Sequence, residues 1–279
     1  MRIPPRITQA LAVTILGSAT LLTVAVLLFI ILFVLGKGLP GVSLEFLFSA
    51  PRDMGREGGI FPILVGTFLL PLMAIVIALP LGVGTAVYLT EYTRETRLTQ
   101  ALRFGTDCLA GIPSIIFGLF GFIFFVVMLK MGWCLLSGGL TLAIMILPTI
   151  IRTAEEAIRA VPNAYREVSF SLGATRWETV LKVVLPNALP GIVTGVMLSL
   201  GRSIGETAAV IFTAGSALRM PASAFDSVRT MSVHFYILAR EGISNEKAYA
   251  TAAVLIISVL LVNLAAYGMM HYFMARRAR

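Results

Sequence analysis

Glu167-Val-Ser-Phe-Ser-Leu-Gly173-Ala-Thr175-Arg-Trp-Glu178-Thr-Val-Leu-Lys-Val-Val-Leu185-Pro186 lies between two apolar stretches and reads as two short helices around a glycine elbow. Asn163 is placed to cap the first, over residues 164–172. Gly173 then ends it in the left-handed conformation that a residue without a Cβ adopts at little cost. Thr175 opens the second helix, with Glu178 three residues on completing a capping box, and Pro186 is expected to stop it. Apolar Val168, Phe170, Leu172, Trp177, Val180, Leu181 and Val184 are interleaved with Arg166, Glu167, Arg176 and Lys182. Such a pair suits a lipid surface or a groove on a soluble partner, and physics alone divides the two evenly.

The rest of the chain decides what this pair is set into. Of 279 residues, 58% are hydrophobic and 13% charged, where a soluble domain carries about a quarter charged. The chain therefore reads as an all-α integral membrane protein. Apolar runs of about 20 residues suffice for a crossing. Six are found: 7–35, 61–89, 102–129, 136–151 (fading toward 160), 188–214 and 248–273. The fourth and fifth are the most interrupted. The first is too long for a secretory signal core and lacks a small-x-small cleavage site, so it is expected to be retained.

Net charge is +8, but its placement points away from nucleic acid. Arg2 and Arg6, then Arg94, Arg97 and Arg103, then Arg159, Arg166, Arg176 and Lys182, then Arg276, Arg277 and Arg279 fall at alternate span ends. The positive-inside rule puts those ends, and both termini, in the cytoplasm. The opposite segments, 36–59 and 216–247, are expected to be loops, the second long enough to pack on the outer face or meet a partner. His234 and His271 stand alone and read as surface or interfacial. Cys108 and Cys134 lack metal-ligand spacing and read as buried small hydrophobes, with no disulfide between them.

Charges in lipid are costly enough to mark a substrate or ion path by default, and several lie within or beside the apolar runs. Arg202 and Glu206, in Leu200-Gly-Arg-Ser-Ile-Gly-Glu-Thr-Ala-Ala-Val-Ile211, are four apart and expected on one helix face. They read either as a self-satisfied ion pair or as an arginine fork for an oxyanion, with Glu206 orienting it or loosening the anion's hold. Arg152, in Leu147-Pro-Thr-Ile-Ile-Arg-Thr153, is a second candidate, the alternative being an arginine that snorkels to the interface. Asp107 is a possible partner or an interfacial acid.

The elbow segment resembles the coupling motif of ABC importer permeases, EAA, three residues, G, nine residues, I, one residue, LP. Glu167-Val-Ser stands for EAA, Gly173 holds the glycine, and Leu185-Pro186 close the motif in register, with substitutions at two of the first three letters and at the Ile. Gly58-Gly-Ile-Phe-Pro62, Ala78-Leu-Pro-Leu-Gly82, Ala110-Gly-Ile-Pro-Ser-Ile-Ile-Phe-Gly118 and Gly201-Arg-Ser-Ile-Gly-Glu-Thr-Ala208 are similar to phosphate-specific ABC importer permeases, more to the PstA type than to the PstC type. The likeness covers roughly residues 55 to 270.

That resemblance implies a type I ABC importer permease fold that carries inorganic phosphate inward. It divides the chain into an N-terminal helix and external loop (1–60), a permease domain (61–273) containing the coupling loop (160–186), and a basic cytoplasmic tail (274–279). It implies a bacterial inner-membrane location beside a PstC-type paralogue, two cytoplasmic ATPase subunits and an external phosphate-binding protein. Glu167, Gly173, Ala174, Leu185 and Pro186 would meet the ATPase, while Arg202, Glu206 and Arg152 would line the path. No Gly-x-x-x-x-Gly-Lys-Ser/Thr loop occurs, so the chain is expected to be no enzyme and to hold no cofactor, with ATP and Mg on the ATPase partners. A permease for molybdate, sulfate or phosphonate, an ion-coupled secondary transporter and a non-transporting scaffold remain open alternatives at this point.

Overall fold

The structure is a computed structural model that describes residues 5–277, with side chains for residue 9 and residues 11–268. Arg2 and Arg279 lie outside the described residues, as do the side chains of Arg6, His271, Arg276 and Arg277. Among the described residues, five helical stretches are long and apolar enough to cross a membrane, and a bent pair makes a sixth when counted as one span.

Three of these stretches form the centre. α3 (Phe61–Val87) packs along α6 (Leu135–Arg159), and α6 along α9 (Leu185–Ile204). Leu70, Ala74 and Ala78 of α3 meet Leu142, Met145, Ile146 and Ile150 of α6, with Ala209 and Val210 of the short α10 (Ala208–Thr213) completing the cluster. Lipid tails are as apolar as leucine, so such helices associate through close packing of small residues. α6 and α9 run antiparallel and show this most clearly. A Cβ on Gly191 would lie 2.5 Å from that of Ala157, and one on Gly195 would collide with Thr153.

The third span is not the single straight helix expected over 102–129. It is two helices, α4 (Arg97–Ala110) and α5 (Ser114–Gly121, prolonged by a wide i→i+5 stretch Phe122–Met128), meeting at 98°. The break is Gly111-Ile112-Pro113. Pro113 disfavours helix for the residue before it and adopts an extended ψ of 138° itself. Thr99 is the one buried residue of α4, whose Leu98, Leu102, Phe104 and Leu109 are all exposed.

The fifth span also departs from expectation, at both ends. The elbow's second helix does not stop before Pro186. α8 (Arg176–Thr179) runs through a wide turn, Val180–Val184, straight into α9. Pro186 falls in the first turn of α9, at the junction with that wide turn, so it interrupts the hydrogen-bond ladder where the ladder is already changing. At its other end α9 stops at Ile204, and Gly205 separates it from α10.

α12 (Asn245–Arg277) runs antiparallel to α1 (Pro5–Gly38), with the ring of Phe33 edge-on to Tyr249 and Gly38 packed against the Tyr249 backbone. Both ends of the described chain therefore point to the same end of the bundle as the elbow. The opposite end is closed by α2 (Leu44–Phe48), a two-residue antiparallel hairpin pairing β1 (Pro51–Arg52) with β2 (Glu57–Gly58), and α11 (Met231–Arg240).

His234 in α11 is not at the surface. It is 1% exposed, capped by the turn at Gly55, with its Nδ1 3.3 Å from Nη1 of Arg229. Arg229 donates through Nε to the Ser216 carbonyl at 2.8 Å. Cys134 is buried as expected, but Cys108 is exposed on α4, and both are free thiols.

Candidate functional site

Arg202 occupies the last turn of α9 and is exposed, one turn beyond exposed Leu198. It does not share a helix face with Glu206. The helix has ended between them, because Gly205 leaves the α-helical ladder after a last bond from the Glu206 N–H to the Ser203 carbonyl at 3.2 Å. The Glu206 carboxylate instead accepts from the backbone N–H of Ala209 at 3.2 Å, and its own carbonyl accepts from Ser232 Oγ at 2.7 Å. Glu206 thus starts α10 and anchors α11, and Arg202 has no ion pair among the described residues.

Arg152 lies on the exposed side of α6. Its register against α9, set by Thr153 on Gly195, puts it roughly two turns, about 9 Å, nearer the elbow than Arg202. Nη1 of Arg152 is 3.1 Å from Asp107 Oδ1 on α4, and each side chain is about half exposed. Asp107 is therefore the partner of Arg152. Beside this pair, Arg103 bridges Glu95 at 2.8 Å and Glu155 at 2.7 Å, while Arg159 meets Glu155 at 2.9 Å. The cleft between α4 and α6, about 160 Å³, is lined by Arg103, Asp107, Arg152, Glu155, Glu156 and Arg159. With no apolar core beneath it, α4 is held on the bundle by these ion pairs.

The chemistry follows from exposure. About half of each side chain is uncovered by the rest of the chain, so an incoming oxyanion can reach the pair and compete with Asp107 for Arg152. The guanidinium keeps its charge and presents parallel donors suited to such a ligand.

The elbow forms much as its sequence requires. α7 (Asn163–Ser171) ends where Gly173 takes φ +82°, with the Gly173 N–H on the Phe170 carbonyl at 2.9 Å and Ala174 N–H on that of Ser169 at 3.2 Å. Thr175 and Glu178 form the reciprocal capping box. Asn163 does not cap α7. Pro162 occupies that position, and Asn163 is the first helical residue, its side chain accepting from Arg166 at 3.4 Å. Glu167 is exposed, as are Val168, Phe170, Leu172 and Trp177, which leaves an apolar surface projecting from the end of the bundle. Leu185 and Pro186 are half-buried at the root of α9.

One side chain at this end carries more bonds than its sequence position suggested. Arg166 donates to Glu91 at 2.6 Å and 3.0 Å, to the Ile158 carbonyl at 3.0 Å and to the Val161 carbonyl at 2.7 Å. Glu91 sits in the wide turn Tyr88–Tyr92 that extends α3, 75 residues away in the chain. Asp107 and Glu91 are the residues whose partners sequence reasoning could not assign. A carboxylate close to a span end is the signal that marks both.

The family described as binding-protein-dependent transport system inner membrane component matches residues 78–279. The chain is 34% identical over 277 residues to the probable ABC transporter permease protein YqgI of Bacillus subtilis, covering 94% of each. It is 35% identical over 245 residues to the phosphate transport system permease protein PstA of Pasteurella multocida, covering 85% of each. A crystal structure of a bacterial alginate ABC transporter bound to its pentasaccharide-loaded periplasmic protein superposes with TM-score 0.71 over 98% of both chains, at 15% identity, a likeness of fold.

Proposed function

Since the chain belongs to the family of binding-protein-dependent transport system inner-membrane components, we propose that it is the PstA-type permease subunit of an ATP-driven importer of inorganic phosphate. The observation that carries this reading is the likeness to a phosphate permease along 85% of both chains, beyond the coupling segment that importers of many substrates share. The arginines support it. Arg152 lies well inside α6 and Arg202 in the last turn of α9, both on helices apolar enough to cross a membrane.

In this reading the end bearing the elbow and both chain ends is cytoplasmic. Two ATPase subunits bind there and hold ATP and Mg. A PstC-type paralogue covers the exposed strip of α9, and an external phosphate-binding protein delivers the anion to the opposite end. Glu167, Gly173 and Ala174 form the contact with the ATPase, and Leu185 and Pro186 begin the helix that its motion drives.

Phosphate would then meet Arg202 first and Arg152 about 9 Å further in. A path must attract the anion without retaining it. Arg152 meets that need because Asp107 is already at 3.1 Å to reclaim the guanidinium when phosphate leaves. Arg202 stays charged in the path, with Glu206 turned aside to hold α10.

The test is radiolabelled phosphate uptake by cells lacking the chain and by cells in which it is restored, with sulfate and molybdate as competitors. Restored, ATP-dependent uptake that excess sulfate and molybdate leave intact is expected. Uptake blocked by either competitor would assign the chain to that oxyanion instead.

A further inference from the structure

Arg166 is fixed to two different spans at once. Its Nε and Nη2 hold the Glu91 carboxylate at the end of α3, and Nη1 and Nη2 hold the Val161 and Ile158 carbonyls at the end of α6. The side chains are nearly enclosed, Arg166 14% exposed and Glu91 10%. Arg176, the first residue of α8, adds a bond from Nη1 to the Glu91 carbonyl at 3.2 Å and lies over the Tyr92 ring. Ser169 and Thr179, 2.8 Å apart and buried, join α7 to α8 beneath the elbow.

Burying two charges is costly, and an apolar contact would glue α7 to the bundle as well. What a guanidinium fork supplies in addition is direction. It is planar, makes several bonds at fixed angles, and here satisfies carbonyls at the C-terminus of α6, where a cation is also favoured by the helix dipole. The helix running from Arg176 to Ile204 is one route by which displacement of the elbow reaches the bundle. The Arg166 fork is a second, and it leads to α3 and α6.

We propose that Arg166, clamped on Glu91, is the positioning residue that passes motion of the elbow to α3 and α6, so that Arg152 moves with the coupling loop. Ile158, whose carbonyl Arg166 holds, is six residues from Arg152 on the same helix, about 9 Å. The two arginines of the path are thereby driven by separate connections, Arg202 through α9 and Arg152 through the clamp. This rests on the proposed ATPase partnership.

The experiment uses the assembled complex in proteoliposomes, with phosphate-loaded binding protein, and records phosphate transported per ATP hydrolysed. Arg166→Gln and Glu91→Gln are each expected to leave the ATPase subunits bound and hydrolysing while transport per ATP falls roughly tenfold. Arg166→Lys keeps the charge but loses the fork, and is expected to assemble fully and fall in between. The double variant is expected to be no worse than Arg166→Gln alone. Complexes that assemble poorly but keep the unaltered ratio would overturn the proposal and leave Arg166 a stabilising residue, as would an Arg166→Lys ratio equal to that of the unaltered complex. An unaltered complex without ATP-dependent uptake would overturn the proposed function and this inference together.

Discussion

The Glu206 carboxylate turns away from Arg202 and accepts the backbone N–H of Ala209 at 3.2 Å, on the α10 side of the break that Gly205 makes after α9. The acid holds the first turn of α10, and the base has no ion pair among the described residues. Two residues, four positions apart, that would share a face on a continuous helix here serve two different helices.

The roles of this pair separate by experiment. Arg202→Ala is expected to abolish phosphate uptake with little loss of protein, since its side chain is exposed. Glu206→Ala removes the acceptor of α10's first turn and costs about 1 kcal/mol of stability, with Glu206→Gln recovering most of it. The two effects should add in the double variant, because no contact joins them. Uptake measured beside thermal stability in detergent checks this; full uptake by Arg202→Ala would remove Arg202 from the path.

Asp107→Asn tests the displaceable pair on α6. Removing the competing carboxylate leaves Arg152 a stronger anion site, so KM for phosphate is expected to fall while maximal uptake also falls through slower release. Stability should change little, because neither side chain is buried within the bundle. Arg152→Ala should lower uptake with no gain in affinity. A raised KM in Asp107→Asn would show instead that the carboxylate helps place Arg152 for binding.

The elbow was readable because its signals are local: Gly173 at φ +82° and the Thr175–Glu178 box depend on residues within a few positions of each other. The spans were readable from apolar length. What failed were the interruptions. Gly111-Ile112-Pro113 bends a span by 98° and Gly205 ends one, whereas Pro71, Pro80, Pro148 and Pro190 sit inside continuous helices. The local chemistry is alike in both sets, and neighbours decide which breaks persist. Glu91 and Arg166 are 75 residues apart, so no spacing rule could join them. His234 misled because its cover, the turn at Gly55, comes from the far side of the sequence.

Packing of α6 on α9 gives a sharper prediction. Gly195→Ala puts a methyl into Thr153, and two helix backbones must separate to admit it. The variant is expected to accumulate poorly and to lose helix association in detergent. Thr153→Gly in the same chain makes room and should restore much of the yield, at a helix-propensity cost of only about 0.3 kcal/mol. The check is the amount of monodisperse protein recovered for the two single variants and the double. A double variant no better than Gly195→Ala would mean that this contact does not govern the interface.

His234 gives the pH prediction. Burial, and secondarily the charge of Arg229, push its pKa from the ordinary 6.5 down to about 3, so the folded protein keeps it neutral, with Nδ1 accepting from Arg229. The unfolded chain takes up a proton near pH 6.5 and the folded one does not until about 3. Between those values the unfolded state binds more protons, and stability must rise with pH. The contribution is whole above pH 6.5 and is lost as pH falls toward 3, at up to about 1.4 kcal/mol per pH unit. Asp226, in the same outer segment, adds a slope of the same sign at lower pH, because the N–H groups of Ala222 and Ser223 hold its carboxylate ionised. Its share vanishes in Asp226→Asn, which separates the two. Thermal unfolding of the purified protein from pH 7 to pH 4 is expected to show a falling midpoint that flattens in His234→Gln. An unchanged slope in that variant would mean that His234 titrates normally and that the turn at Gly55 opens to water.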